Sequence, residues 1–205
     1  MKNNFSKYSH AALVVAAAAL TLSMNAWAQQ DTSYPASANS MYGFGTSYIG
    51  FSGGQSRFRA NNGLGGFASS TNDRAYSLYT GGDFNNNFGL EVGYTDFGRI
   101  SRAGGTTKAQ GINVTLIGRL PLGSSFNALG RLGTTYGRTT VSSSPLSGIS
   151  SGSASGFGLA YGVGLEYTIS SNWSTVLQFD EHPLKLTGNN RDTVSNTSLG
   201  FKYRF

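Results

Sequence analysis

The chain has 205 residues, 29 Gly, no Cys, 13% aromatic and only 12% charged residues, and a formal net charge of +6. The missing Cys excludes a disulfide framework and thiolate metal sites, and the charge content lies far below the roughly 25% of an ordinary soluble domain. The positive balance does not imply nucleic acid, because the aromatics alternate along apolar faces and no Gly-rich phosphate loop ending in Gly-Lys-Ser/Thr is present.

Lys2 and Lys7 precede an apolar run from Ala11 to Leu22, and Ala26-Trp27-Ala28 follows as a small-x-small cleavage site. Residues 1–28 are therefore read as a Sec-type signal peptide, since the run is short of the roughly 20 residues that a helical span needs. Losing Lys2 and Lys7 leaves 13 of 15 Lys+Arg against 9 Asp+Glu, formally +4. His182 is then the one His left, which argues against a zinc site. No cofactor and no metal is expected. Residues 29–46 are read as an N-terminal periplasmic segment and 47–205 as a single barrel domain.

Eight alternating segments follow in order. The first runs from Ser47 to Phe58, with Ile49 and Phe51 on one side. The second, Ala75–Phe84, places Tyr76, Leu78 and Phe84 together. In the third, Phe88–Thr95, the residues Phe88, Leu90, Val92 and Tyr94 oppose Gly89, Glu91, Gly93 and Thr95. The fourth, Ala109–Leu120, sets Ile112, Val114, Leu116 and Leu120 against Asn113, Thr115 and Arg119. The fifth, Phe126–Arg138, sets Leu132 and Tyr136 against Asn127, Arg131 and Thr135. The sixth, Gly156–Ile169, alternates most cleanly, with Phe157 to Ile169 on odd positions and Glu166 among Gly, Ala and Thr on even ones. A seventh covers Trp173–Asp180, and the eighth, Thr193–Phe205, brings Thr197, Leu199, Phe201, Tyr203 and Phe205 onto one face.

Period-two alternation with apolar and aromatic residues on one face suits strands that meet lipid outside and a polar lumen inside. The connections Asn85–Asn87, Pro121–Ser125 and Ser170–Asn172 are short, whereas Arg59–Arg74, Gly98–Lys108, Thr139–Ser155 and Glu181–Asp192 are long and polar. That asymmetry predicts an all-β, eight-stranded, antiparallel up-and-down transmembrane barrel, with short periplasmic turns and long external loops. Closure removes the edges that lipid would leave unpaired. A soluble lipocalin-like barrel is disfavoured, because its exterior would need charges where this chain has Gly, Ser and Thr.

Parity places Asp83, Glu91, Glu166 and Asp180 inward with Arg119, Arg131, Lys202 and Arg204, and puts the remaining charges at the long-loop rim or, for Asp31, in the N-terminal segment. An eight-stranded bore is just wide enough for side chains to fill it, and an unpaired buried charge is expensive. Neighbouring-strand positions predict Glu91–Arg119 and Arg131–Glu166 as ion pairs of one lumenal network, with Lys202 and Asn113 or Gln178 completing it. The rim cations suit the phosphates of lipopolysaccharide.

GLEVGYTDFGRI (Gly89–Ile100), KAQGINVTL (Lys108–Leu116), ALGRLGTTYGR (Ala128–Arg138), GVGLEYTI (Gly162–Ile169) and SLGFKYRF (Ser198–Phe205) resemble, in order and spacing, the strands of the OmpA transmembrane domain family. The resemblance covers about Tyr48 to Phe205. It implies a barrel in the Gram-negative outer membrane, and inward acids at Glu91 and Glu166 that pair with lumenal cations. It also implies an assembly signal in Phe201, Tyr203 and Phe205. Ile117 and Val176 stand where that family often has Lys and Arg, so the gating switch associated with the family is not carried over. The family's peptidoglycan-binding domain is not expected.

The function expected is that of a non-enzymatic structural or interaction barrel with at most a narrow, low-conductance pore. The expected partners are outer-membrane lipids, lipopolysaccharide and the barrel-assembly machinery, with the protein itself monomeric and binding no nucleic acid. One alternative is an adhesin or serum-resistance barrel of the OmpX/Ail type. Another is a lipid A-modifying enzyme, which would need a nucleophile beside a base. For that, His182 in Asp180-Glu181-His182-Pro183 is the one candidate, and it is expected in a loop at the outer rim.

Overall fold

The computed structural model describes residues 45–64, 66–185 and 191–205. The signal peptide and almost all of the N-terminal segment lie outside them. Eight strands follow one another: β1 (Thr46–Phe58), β2 (Asn72–Asp83), β3 (Phe88–Arg102), β4 (Gly105–Pro121), β5 (Phe126–Ser142), β6 (Gly152–Thr168), β7 (Trp173–Lys185) and β8 (Arg191–Arg204). Each pairs antiparallel with the next, and β8 returns to β1 through Tyr48 opposite Arg204 and Phe58 opposite Val194, closing the barrel. A short 3-10 turn, Pro145–Ser147, sits in the β5–β6 connection.

The outward faces carry the sequence's apolar set. Leu78, Val114, Leu116, Leu132, Leu159, Val163, Leu177 and Leu199 are exposed around the middle. Aromatics gather towards both ends. Near the short turns stand Phe88, Phe126, Tyr167, Trp173, Tyr203 and Phe205, with the rings of Phe126 and Tyr167 tilted together at 4.9 Å and those of Trp173 and Tyr203 at 5.0 Å. Near the long loops stand Tyr76, Tyr136, Phe157 and Tyr161. Two aromatic girdles around an apolar band are what a barrel presents to a bilayer.

The strands outrun the sequence expectation at the long-loop end. The expected loop Gly98–Lys108 is a continuous hairpin whose turn is Ala103-Gly104, both at positive φ (54° and 67°), the backbone of a two-residue primed turn. The expected loop Thr139–Ser155 is strand at both ends, held by pairings such as Thr140 opposite Ser153. At 17 residues, β4, β5 and β6 exceed the roughly 9–11 that a tilted membrane strand requires, so their tips project beyond the bilayer. These tips are rich in Ser and Thr because no lipid meets them.

β3 contains a bulge at Asp96/Gly98. Gly98 has φ +82°, and its N–H donates to Asp96 Oδ1 at 2.9 Å while Asp73 Oδ2 accepts the next N–H, that of Arg99, at 2.5 Å. The extra residue turns Phe97 and Ile100 both into the core and swings Arg99 outward, a typical use of a bulge to re-aim side chains. A Cβ at Gly98 would lie 2.5 Å from the Arg74 carbonyl oxygen. Gly98→Ala is therefore expected to lower stability by about 1–3 kcal/mol in urea unfolding from lipid vesicles. Gly130→Ala, where nothing lies within 4 Å, is expected to stay within about 0.5 kcal/mol of the parent.

β7 also departs from the wall. Its ladder with β6 ends at Tyr161 opposite Glu181, while its pairing with β8 continues to Lys185 opposite Arg191. Beyond Glu181 the strand leans into the mouth: Thr139 Oγ1 donates to the Lys185 carbonyl at 2.6 Å, and Leu184 joins a buried cluster with Phe58, Phe97, Ile100, Ala109 and Val194. That cluster caps the bore beneath the long loops.

Candidate functional site

Below the apolar cap the lumen is polar and ionic. Glu91, Arg119, Arg131, Glu166 and Lys202 all point inward, but the structure pairs them differently from the sequence expectation. Arg131 on β5 binds Glu91 on β3 (Nη2–Oε1 2.8 Å) and Asp180 on β7 (Nε–Oδ1 2.9 Å). Arg119 on β4 binds Asp83 on β2 through two nitrogens at 3.1 and 3.2 Å, and lies 3.4 Å from Glu166 on β6. The expected pairs Glu91–Arg119 and Arg131–Glu166 are not formed; the partners are exchanged.

The reason is curvature. In a narrow bore inward side chains converge on the axis, so a long guanidinium meets strands two away rather than the adjacent one. The intervening strand makes room with Gly: Gly162 lies opposite both Arg131 and Asp180, and Gly89 lies opposite Asp83 on the path of Arg119. A Cβ at Gly162 would meet the Asp180 carboxylate itself.

Glu166 is fully buried and gathers three cations: Arg119, Lys202 (Nζ–Oε2 3.8 Å) and Arg204, whose Nη2 donates to Oε1. Arg204 is steadied by Ser174 Oγ at 2.9 Å. Tyr48 links the two groups. Its hydroxyl donates to Glu91 Oε2 at 3.3 Å, and Lys202 Nζ stands 4.3 Å from the centre of its ring. Four acids thus face four bases along the bore.

Asn113, one of the two amides offered to complete the network, bonds hydroxyls rather than the ions. It donates to Thr95 Oγ1 at 2.8 Å and accepts from Thr135 Oγ1 at 2.7 Å. Thr135 lies 2.8 Å from Nδ1 of His182. His182 is therefore not a loop residue at the rim; it is buried, faces the lumen from β7, and packs against Phe97 with ring centres 4.9 Å apart. Pro183 likewise lies within β7 rather than opening a loop. Arg102, expected at the solvated rim, is buried, donating from Nε to Thr107 Oγ1 at 2.7 Å and from Nη1 to the Asn61 carbonyl at 2.6 Å.

Between Arg119 and Arg131 along the inward faces stand Ile117 and Leu129, which form with Val176 a buried apolar cluster, each 3% exposed or less. A polar cavity of about 20 Å³ lies above it, lined by Tyr79, Asn113, Arg131, Asp180 and His182 among others. It holds little more than one water.

Asp83, Asp180 and Arg204, placed inward by parity but given no partner there, prove to belong to the same network; the site residue that the sequence reading omits is Tyr48. Tyr48 is legible as a large side chain that opens an inward face continuing with Gly50, Ser52, Gly54 and Ser56. Among the described residues no cluster of three or more His, Asp or Glu could hold a metal ion.

Residues 14–205 match the family model of the outer membrane protein beta-barrel domain. Among solved structures, the chain is similar to Ail, the attachment invasion locus protein of Yersinia pestis, at 25% identity, covering 78% of this chain and 98% of that one with a TM-score of 0.54. It is also similar to Neisserial surface protein A (15%, 78% and 97%, TM-score 0.56) and to the N-terminal β-barrel domain of Pseudomonas aeruginosa OprF (16%, 78% and 97%, TM-score 0.53). Similarity at 15–16% identity shows the fold alone. No curated protein matches.

Proposed function

Because the chain belongs to the outer membrane protein beta-barrel domain family, we propose that it is a structural and interaction protein of the outer membrane whose bore is closed to ions. The observation that carries this reading is the buried apolar cluster of Ile117, Leu129 and Val176 on the inward faces of β4, β5 and β7, in a bore otherwise filled by paired charges and Tyr48. Ions would have to shed their water to pass it, and every cation they could exchange with is already paired. The Sec-type leader delivers the chain to the periplasm. The outward aromatics Phe201, Tyr203 and Phe205 on β8 give the assembly machinery its recognition strand, and the barrel works as a monomer among lipids and lipopolysaccharide.

Planar-bilayer recording tests the closed bore. The parent barrel is expected to show no resolved channel steps, and an Ile117→Gly/Leu129→Gly/Val176→Gly variant is expected to conduct. Steady conductance in the parent would defeat the reading. His182 is turned into the lumen against Thr135 and Phe97, away from acyl chains, which speaks against lipid A chemistry. An unchanged lipid A mass profile on deletion is the expected result.

A second reading, surface interaction through the loops, rests on Leu64 and Leu146, which are 76% and 81% exposed on two loops bonded through Leu64 N–H to the Ser147 carbonyl at 3.0 Å. Apolar tips held in place by a partner loop suit a docking surface. Leu64→Ser/Leu146→Ser is expected to reduce cell attachment in a binding assay without altering the barrel's gel mobility.

A further inference from the structure

The outward cations are not spread evenly around the mouth. Arg57 on β1, Arg74 on β2, Arg99 on β3, Lys108 on β4 and Arg138 on β5 all project outward on five consecutive strands. Arg99 lies directly opposite Lys108, while Arg57 stands two residues beyond the partner of Arg74 (Gln55) and Lys108 two residues beyond the partner of Arg138 (Gln110), so the row is staggered by one outward position. Arg99 belongs to this row because of the Gly98 bulge; an unbroken alternation from Tyr94 would have put it in the lumen.

Just below the row stand Tyr76, Tyr94 and Tyr136, the girdle that marks the membrane interface. The row therefore lies at the level of lipid headgroups, with the apolar band beneath it. Across the β5–β6 seam the pattern stops, since Ser155 is what lies opposite Arg138. On β7 the nearest outward charge is Glu181, which is neutralised by Arg59 at 2.7 Å and bonded by the Tyr161 hydroxyl at 2.6 Å.

Among the described residues no ion pair involves Arg57, Arg74, Arg99 or Arg138, whereas Lys108 is paired with Asp96 at 3.2 Å. Four guanidiniums with no carboxylate partner among the described residues, on β1, β2, β3 and β5 of a wall whose neighbouring strands lie roughly 4.8 Å apart, form an arc suited to an anionic headgroup with more than one phosphate. Guanidinium binds phosphate through two parallel hydrogen bonds, and the low dielectric beside acyl chains strengthens the contact.

We propose that Arg57, Arg74, Arg99 and Arg138 form a one-sided binding arc for the phosphorylated glycolipid of the outer leaflet, the lipid A part of lipopolysaccharide, with its acyl chains along the β1–β5 face. This deepens, and rests on, the outer-membrane reading above. The arc orients the barrel among its lipids, so that β1–β5 carries ordered glycolipid and β6–β8 does not.

The test is native mass spectrometry of the refolded full chain with bisphosphorylated lipid A, monophosphorylated lipid A and phosphatidylglycerol, with heat-modifiable gel migration reporting folding. The parent should retain bisphosphorylated lipid A best. Arg57→Gln/Arg74→Gln/Arg99→Gln/Arg138→Gln should weaken it by about tenfold or more, while Lys185→Gln/Arg191→Gln, on the other side, should leave it within about twofold. Equal loss in both variants, or no loss in the first, overturns the arc while leaving glycolipid as a partner. A parent that holds phosphatidylglycerol as well as lipid A removes the partner reading and the arc together. An Arg57→Gln/Arg138→Gln pair, one from each end, keeps the test open should the fourfold variant not refold, and an intermediate loss is expected for it. No loss from that pair overturns the arc.

Discussion

Arg131→Met is expected to destabilise the barrel by about 3–5 kcal/mol, the usual consequence of leaving a buried charge without its partner. Here two carboxylates, Glu91 and Asp180, lose the same guanidinium at once. The alternative sources of loss are small by comparison. The Met side chain keeps most of the aliphatic stem, and the cavity above Arg131 is only about 20 Å³. Arg131→Met/Glu91→Gln/Asp180→Asn should recover most of the loss, since replacing a whole buried ion set is often neutral. Urea unfolding in lipid vesicles measures both. A single variant within 1 kcal/mol of the parent, a rough threshold set by exposed pairs, would show the group to be solvated rather than buried.

Glu166→Gln is the second large effect, again about 3–5 kcal/mol, and its sign rests on three cations rather than two acids. Glu166 is the convergence point of Arg119, Lys202 and Arg204. Without its charge only Asp83 remains beside Arg119, and the bore is left with three acids against four bases, Lys202 and Arg204 having lost their ion-pair partner. Adding Lys202→Met to Glu166→Gln should restore part of the stability by removing one repelling charge. If the double variant is weaker than Glu166→Gln alone, Lys202 owes its place to the Tyr48 ring, 4.3 Å away, rather than to the carboxylate.

The fold was legible because lipid imposes a period of two that nothing else in this composition obscures. Phe157 to Tyr167 on β6 and Leu199 to Tyr203 on β8 show it plainly, and each strand was located within a few residues at its short-turn end. The long-loop ends were misjudged because beyond the bilayer a strand no longer needs apolar residues. Ser153, Thr139 and Thr140 read as loop and yet pair in register. The β3 bulge was equally hidden: a single Gly gives no sign that Arg99 will face out and Ile100 in.

The inward charges were legible from parity, but their partners were not. Neighbouring strands suggested adjacent pairing, whereas the bore selects strands two apart, and the Gly between them is the only trace that the sequence carries. His182 was misplaced for a related reason. Its Pro183 suggested a loop, but β7 leaves its ladder with β6 at Glu181, so a residue lacking an N–H is tolerated there. Ile117 and Val176, noted as departures from the resembled family, turn out to touch each other with Leu129. The loss of two expected cations is thus one change, an apolar cluster, rather than two.

Cross-bore bridging by each lumenal arginine is the claim on which the rest hangs, and paired substitution at Glu91 measures it. Glu91→Gln combined with Arg131→Met should show a coupling on the order of 1–3 kcal/mol in urea unfolding, whereas Glu91→Gln with Arg119→Met should be additive within about 0.5 kcal/mol. The reverse, strong coupling of Glu91 to Arg119 and none to Arg131, would contradict it and restore pairing along adjacent strands.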